Sequence, residues 1–336
     1  MSDIYREVIL AKTPTGHPEE THFAVREGEL PTPGDGEVLC VTEYLSLDPY
    51  MRGQIAGRHI SGSIQPGDTM LGETVSRVVE SNSEAFAPGD LVSCFAGWRS
   101  HSVHKAEALR RIPANFPQPS LALSALGMPG LTAWAGLYKQ AKPVAGETVV
   151  IPAATGAVGS VAAQLARERG CRVVGIAGSD EKCELAVGQL GYDACINRRD
   201  ADLRAALREH CPDGINVYFD LVGGEMLISA SEQLALGARV ILCGLMADYN
   251  SDKRTPGPSP GLWIKARAIV YGLVVYDFEA QRDEFLAAVL PLIESGRLQF
   301  KEDIAEGIDA APAAFCRLMR GENVGKALVR MAAATS

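Results

Sequence analysis

The sequence predicts an α/β protein of two domains, a doubly wound parallel sheet joined to an antiparallel, barrel-like domain. Three observations lead there. The length of 336 residues exceeds what one ordinary core serves at ~150 residues per domain. Up to about residue 120 the chain carries short β-like runs punctuated by Pro-Gly and Gly-Asp turns, the pattern of an antiparallel domain. From Glu147 continuous apolar runs alternate with amphipathic stretches, the rhythm of a parallel sheet covered by helices on both faces.

In order, the first domain is read from Glu37-Val-Leu-Cys-Val-Thr42, Thr74-Val-Ser-Arg-Val-Val79 and Asp90-Leu-Val-Ser-Cys-Phe95, with turns at Pro33-Gly34, Pro66-Gly67-Asp68 and Pro88-Gly89-Asp90. The proline-rich segment 113–119 breaks this pattern, and a helix is expected over 132–140. Strand 148–151, helix 160–169, strand 172–177 and helix 180–190, stopped by Gly191, then follow. Strand 217–220, helix 225–236, strands 239–243 and 269–275 and helix 280–295 complete the expected elements. The tail 298–331 leaves the βαβ rhythm and is assigned back to the first domain. The expected division is therefore 1–125 with 298–336, and 126–297.

Composition narrows the function. Hydrophobic residues at 47% and charged residues at 22% are ordinary for a soluble globular protein. A net charge of -9, from 32 basic and 41 acidic residues, argues against a phosphate-backbone grip on nucleic acid. Charges interrupt the start, Met1-Ser-Asp-Ile-Tyr-Arg-Glu, and no run approaches the ~18–20 apolar residues of a membrane span. The cytoplasm is the expected compartment. Eight cysteines, at 40, 94, 171, 183, 195, 211, 243 and 316, form no C-x-x-C and read as buried thiols rather than a zinc lobe. Glycine is in excess, 34 of 336, so several backbone positions are expected to need positive φ or close approach.

Strand Val149-Val-Ile-Pro152 runs into Ala153-Ala-Thr-Gly-Ala-Val-Gly159 and then a helix. In that context Gly156 lets backbone approach a pyrophosphate, Gly159 lets helix and strand pack closely, and the helix N-terminus supplies unpaired N–H groups. The first glycine of G-x-G-x-x-G is here Ala154. Turn residues Gly156, Ala157, Val158 and Gly159 thus mark a dinucleotide site on a Rossmann sheet. Ribose selectivity is read after the next strand, where an acid would accept from a 2′-OH. Gly178-Ser179 stand there instead, with Lys182 one turn on, which favours NADP over NAD despite Asp180. No zinc constellation accompanies the site: His17, His22, His59, His101, His104 and His210 are scattered, and the stretch Met70-Leu-Gly-Glu-Thr74 has no histidine. His101 and His104 fall on opposite faces of a strand and read as surface residues.

These residues resemble the zinc-independent branch of the medium-chain dehydrogenase/reductase superfamily, in its prostaglandin reductase, leukotriene B4 12-hydroxydehydrogenase and curcumin reductase group. The landmarks span nearly the whole chain: Leu47-Asp-Pro-Tyr-Met-Arg52, Gly67-Asp-Thr-Met70, Gly127-Met-Pro-Gly-Leu-Thr-Ala133, Gly156-Ala-Val-Gly-Ser160, Gly178-Ser-Asp-Glu-Lys182, Val222-Gly-Gly224, Cys243-Gly244, Tyr249-Asn250, Pro256-Gly-Pro258 and Gly321-Glu-Asn-Val-Gly-Lys326. The resemblance implies a Rossmann NADP-binding domain, a GroES-type barrel-like substrate domain, and NADPH-dependent reduction of the C=C bond of α,β-unsaturated ketones or aldehydes. A conjugated carbonyl is already electrophilic at its β-carbon, so hydride attack needs a donor to the enolate oxygen rather than a metal. Tyr249 and Tyr50 match that catalytic role.

By the same resemblance Lys182 and Ser179 bind the 2′-phosphate. Cys243, Gly244, Leu245 and Tyr249 serve the ribose side, Leu273, Val274 and Val275 the carboxamide, Asn323 the nicotinamide end, and Met128 and Thr132 the cleft near the cofactor. Three positions depart from relatives: Leu221 replaces an Asn, Arg198 replaces a Tyr beside the adenine and can stack through its guanidinium plane, and Lys265 replaces a Tyr near the substrate. An NADPH quinone reductase and a non-catalytic NADPH-binding protein are the competing readings. The apolar run Arg267-Ala-Ile-Val-Tyr-Gly-Leu-Val-Val275 reads as an edge strand whose pairing gives a homodimer, as in relatives.

Overall fold

In the computed structural model, which describes residues 4–199, 202–251, 253 and 255–331, each Pro-Gly-Asp sequence closes a turn between extended segments. Gly67 and Gly89 adopt φ of +98° and +96°, and the aspartate after each accepts a backbone hydrogen bond, Asp68 from Gln65 at 2.9 Å and Asp90 from Ala87 at 2.8 Å. The chain divides into two compact units: the part up to Leu123 together with the part from Glu302 onward, and Ser124–Lys301.

The first unit opens with the antiparallel pair β1 (Tyr5–Leu10) and β2 (Phe23–Gly28). Its larger sheet begins with β3 (Glu37–Ser46), followed by the short helix α1 (Met51–Ile55). The strands β4 (Thr74–Ser81), β5 (Leu91–Cys94), β6 (His101–Lys105) and β7 (Arg110–Arg111) come next. Inward residues Val38, Cys40, Val78, Val92 and Cys94 pack as one cluster, so period-2 alternation sets the register of the sheet. β3 is four residues longer than the run that announced it. His101 is buried, contrary to expectation. It pairs with Val41, on the face of β6 opposite to the Val38 and Cys40 cluster, and its Nδ1 is hydrogen-bonded to Ser100 Oγ at 3.0 Å.

The second unit begins with α2 (Met128–Trp134), which passes into a π-helical stretch, Ala135–Ala141. The helix therefore starts four residues before the expected position, with Pro129 in its first turn, where the missing N–H is harmless. The parallel sheet is built from β8 (Thr148–Pro152), α3 (Ala157–Glu168), β9 (Arg172–Ala177), α4 (Asp180–Gln189), β10 (Ala194–Asn197) and α5 (Leu203–His210). It continues through β11 (Ile215–Asp220), α6 (Gly224–Ser231), β12 (Leu234–Leu242), α7 (Pro260–Ala266), β13 (Ile269–Gly272) and α8 (Arg282–Glu294). Its order is β10-β9-β8-β11-β12-β13, a doubly wound sheet whose direction of winding reverses between β8 and β11.

Two expected elements are shorter here. The helix expected to reach 236 stops at Ser231, because Leu234 already pairs with Ile215, and a register shift that includes Gly237 at φ +75° carries the strand on to Arg239. Pairing with β11 overrides the helix propensity of this Leu- and Ala-rich segment. β13 ends at Gly272 rather than 275, and a 3-10 turn, Val275–Gln281, precedes α8. β14 (Glu302–Glu306), α9 (Ala311–Met319) and β15 (Lys326–Arg330) return to the first unit, where β15 pairs antiparallel with β3.

Candidate active site

β8 delivers the chain into a tight turn in which Ala153 takes φ +51° and Gly156 donates to the Ala153 carbonyl at 2.8 Å. α3 starts at Ala157. The first-turn N–H groups of Ala157, Val158 and Gly159 have no acceptor within the helix, and no side chain caps its start. Gly159 is obligatory: a Cβ there would stand 2.6 Å from the Ala153 carbonyl oxygen and 3.2 Å from that of Ala154. This cradle of bare N–H groups at a positive helix end fits a pyrophosphate. Tyr192, which the sequence reading did not single out, supports it. Its fully buried hydroxyl bridges the carbonyls of Ala154 and Gly159 at 3.0 and 2.9 Å. Gly175 leaves room for that ring, since a Cβ would lie 3.0 Å from it. A lone Tyr after Leu190-Gly191 carried no signal of this role.

The carboxyl ends of β9 and β10 form the next part of the same rim. Ser179 caps α4, its Oγ accepting from the Lys182 backbone at 3.4 Å. Arg198 is fixed by its N–H to the Ala177 carbonyl at 3.0 Å, and its guanidinium lies over Gly178, where an added Cβ would be 3.9 Å from Nε. Asp180 is engaged by Asn197 Nδ2 at 2.9 Å. The Arg198 guanidinium thus lies beside Gly178, Lys182 stands in the first turn of the helix that Ser179 caps, and the neighbouring Asp180 is held in a hydrogen bond.

Beyond β12, Cys243 and Gly244 donate to the Asp220 carbonyl at 3.0 and 3.2 Å, and Leu245 leads into a 3-10 turn, Met246–Asp248, that ends at Tyr249. Burial pushes the Tyr249 phenol above its ordinary pKa against a hydrogen bond from the Leu245 backbone, so it stays neutral and able to donate at pH 7. Leu273 is buried and its N–H donates to the Leu242 carbonyl at 2.9 Å, with Val274 and Val275 half-buried after it. Thr132 sits one turn into α2, its hydroxyl donating to the Met128 carbonyl at 2.8 Å. Leu221 is a buried apolar residue at the end of β11, and Lys265 is exposed on α7.

Tyr50 and Asn323 belong to the first unit. Tyr50 follows β3 and stacks on His59, centroids 5.0 Å apart and planes at 28°. Asn323 precedes β15, and its amide donates to the Gly325 carbonyl at 2.8 Å. What joins them is a buried ion pair that sequence reasoning missed. Lys326 Nζ reaches Asp48 Oδ1 at 2.5 Å and the Leu47 carbonyl at 2.9 Å, with side-chain exposures of 3% and 6%. Ser46 Oγ donates to the other oxygen of Asp48. β3 and β15 are neighbours, so the pair locks the exit of one strand to the entrance of the other. Among the described residues no group of three or more His, Cys, Asp and Glu is arranged to hold a metal ion.

Residues 6–112 match the family described as the N-terminal domain of oxidoreductase, and residues 157–295 the family described as zinc-binding dehydrogenase. The chain is 38% identical over 334 residues to the NADPH-dependent curcumin reductase of Escherichia coli, covering 97% of both chains. It is 41% identical over 327 residues to prostaglandin reductase 1 of Bos taurus, covering 96% of this chain and 97% of that protein. The chain belongs to the medium-chain dehydrogenase/reductase family, in the group of these reductases. The solved structure of CurA from Vibrio vulnificus agrees with a TM-score of 0.94 at 36% identity, over 98% of this chain and 100% of that one. CurA in complex with NADPH agrees with a TM-score of 0.93 at 36% identity, over 97% of this chain and 99% of that one.

Proposed function

We propose that this reductase uses NADPH to reduce the C=C bond of α,β-unsaturated ketones and aldehydes. The observation that carries the reading is the rim of the parallel sheet. There the N–H cradle closed by Gly159 is followed, at the end of the next strand, by Ser179 capping the helix whose first turn carries Lys182, which suits a dinucleotide with a 2′-phosphate. The bound cofactor supplies hydride from C4 of its nicotinamide to the β-carbon.

The chain's own residues do the rest. Gly156, Ala157, Val158 and Gly159 hold the pyrophosphate through backbone N–H groups. Ser179 and Lys182 take the 2′-phosphate, and Arg198 covers the adenine. Cys243, Gly244 and Leu245 serve the ribose, Leu273, Val274 and Val275 the carboxamide, and Asn323 the nicotinamide end; Met128 and Thr132 are assigned to the cofactor as well. The neutral phenol of Tyr249 donates to the oxygen on which negative charge develops, so its contribution grows toward the transition state. Tyr50 is the second candidate donor. Protonation at the α-carbon is left to solvent.

The protein is further proposed to be cytoplasmic and homodimeric. Its eight cysteines are all free, as suits a reducing compartment. β13 is an edge strand with Ile269 exposed, and exposed Ile264 on the preceding helix α7 adds to the apolar surface, a liability that pairing with a two-fold mate removes. Sedimentation at micromolar concentration is expected to give a dimer, and a monomer would contradict it. The function is tested by following NADPH oxidation with 2-alkenals, cyclic enones, curcumin and quinones. Turnover with enones and alkenals is expected. Turnover with quinones alone would make the protein a quinone reductase, and turnover with none a binding protein.

A further inference from the structure

Asp220 ends β11, the strand next to β8 where the winding of the sheet reverses. Its side chain is completely buried. Oδ1 accepts the backbone N–H of Val222 at 3.1 Å and of Gly223 at 2.9 Å, which bends residues 221–223 into a tight turn. The Asp220 carbonyl meanwhile accepts from Cys243 and Gly244 at 3.0 and 3.2 Å. The turn presses directly on the segment leading to Tyr249. Ala247 donates to the Val222 carbonyl at 3.0 Å, and a Cβ at Gly223, where φ is +73°, would meet Leu245 Cδ2 at 2.8 Å. One residue therefore ties together the two loops that border the switch point.

The arrangement is expensive for the fold. Among the described residues no N–H reaches Oδ2, and the donor that faces it is the Tyr218 phenol. The titratable groups that face the carboxylate are the Tyr218 phenol and the Cys243 thiol, neither of them a cation. Desolvation raises its pKa to about 6, with the N–H bonds from Gly223 and Val222 pulling the other way. A buried carboxylate without a counter-ion lowers stability, so its presence calls for a use.

We infer that Asp220 is a positioning residue for the cofactor: by holding the turn 221–223 it fixes residues 243–245 and Tyr249 in the geometry that receives NADPH. The inference rests on the cofactor reading given above. An asparagine keeps an oxygen acceptor at the same place, and an alanine keeps none.

The test compares the unsubstituted protein with Asp220→Asn and Asp220→Ala in NADPH binding, KM for NADPH, kcat on one enone, and melting temperature at pH 5 and pH 8. Asp220→Ala is expected to raise the NADPH Kd and KM by about tenfold or more, the loss for hydrogen bonds to a charged acceptor. Its melting temperature at pH 8 is set by two opposed changes, the loss of a buried charge and the Val222 and Gly223 N–H groups left without their acceptor. Asp220→Asn is expected to rescue both constants to within about threefold and to melt a few degrees higher at pH 8. The folded pKa lies above the unfolded one, so Asp220 lowers stability as pH rises through about 6. Both variants should lose that part of the decline between pH 5 and pH 8.

Unchanged NADPH constants in Asp220→Ala overturn the proposal, as does an Asp220→Asn variant impaired as badly as Asp220→Ala. If Asp220→Ala does not fold, Gly223→Ala keeps the Asp220 carboxylate but strains the turn it holds and crowds Leu245, and an unchanged NADPH KM in that variant overturns the proposal too. Failure of the unsubstituted protein to bind NADPH overturns the cofactor reading, whereas NADPH binding by the unsubstituted protein with unchanged constants in Asp220→Ala overturns the inference alone.

Discussion

Removal of the Lys182 ammonium is expected to weaken the use of NADPH while leaving NADH almost untouched. Lys182 lies in the first turn of α4, whose cap is Ser179, and Arg198 lies across Gly178 from the neighbouring strand end. A cation ~4 Å from a phosphate charge is worth about 1 kcal/mol at the dielectric of water and about 4 kcal/mol near a protein surface. Lys182 is partly buried, which places it between these limits. Asp180 and Glu181 in the same turn oppose the attraction, but Asp180 is occupied by Asn197. A loss of about 1.5–3 kcal/mol, the range for hydrogen bonds to charged groups, corresponds to a roughly 10- to 150-fold fall in kcat/KM for NADPH. NADH has no 2′-phosphate, so Lys182→Ala should change its kcat/KM by less than about twofold. Arg198→Ala, if the guanidinium stacks on adenine, should weaken both cofactors alike. Initial rates with each cofactor at a saturating enone, for the unsubstituted protein and the two variants, measure all six values. Equal kcat/KM for NADPH and NADH in the unsubstituted protein, or an equal fall for both in Lys182→Ala, would refute the reasoning.

Tyr249→Phe keeps the ring and removes the donor, so kcat on the best enone is expected to fall by ~10²–10³ with NADPH affinity little affected; full kcat in that variant with loss in Tyr50→Phe would transfer the role to Tyr50. Lys326→Met leaves the Asp48 carboxylate buried without its partner and should cost about 3–5 kcal/mol in urea unfolding, while Asp48→Leu combined with Lys326→Met should recover most of it; a loss below ~1 kcal/mol in the single variant would show that the pair is not a lock. Dialysis against a strong chelator should leave activity intact, and stoichiometric zinc lost together with activity would contradict this.

The readable parts of the fold were those where local chemistry and tertiary role coincide. The apolar run of β8 flows into a turn whose glycines are demanded by contact, so Gly159 announced both a strand–helix junction and a binding surface. β10 and α5 were not foreseen. β10 is four residues long with only Ile196 fully buried, and so lacks a continuous apolar run. α5 has a single buried residue, Leu207, and its start is marked mainly by the cap at Asp202, which accepts from Arg204 and Ala205 at 3.0 and 3.2 Å. The end of α6 was misplaced because strand pairing, a long-range effect, decided it. In the candidate site, the residues proposed to act from strand ends stand in recognisable motifs. Those that act by support, Tyr192 under the phosphate turn, Asp220 behind the second loop and Lys326 against Asp48, depend on partners far away in sequence and left no local pattern.

The central claim is reduction of a conjugated C=C bond by hydride from NADPH, and it is tested most directly by turnover with NADPH carrying deuterium on the transferred position of C4 and a simple enone. The account predicts one NADPH consumed per product and a saturated ketone with its carbonyl intact. The deuterium should lie at the β-carbon, and the proton gained at the α-carbon should come from solvent. An allylic alcohol with deuterium at the carbonyl carbon, or a saturated product with no deuterium at the β-carbon, would contradict it.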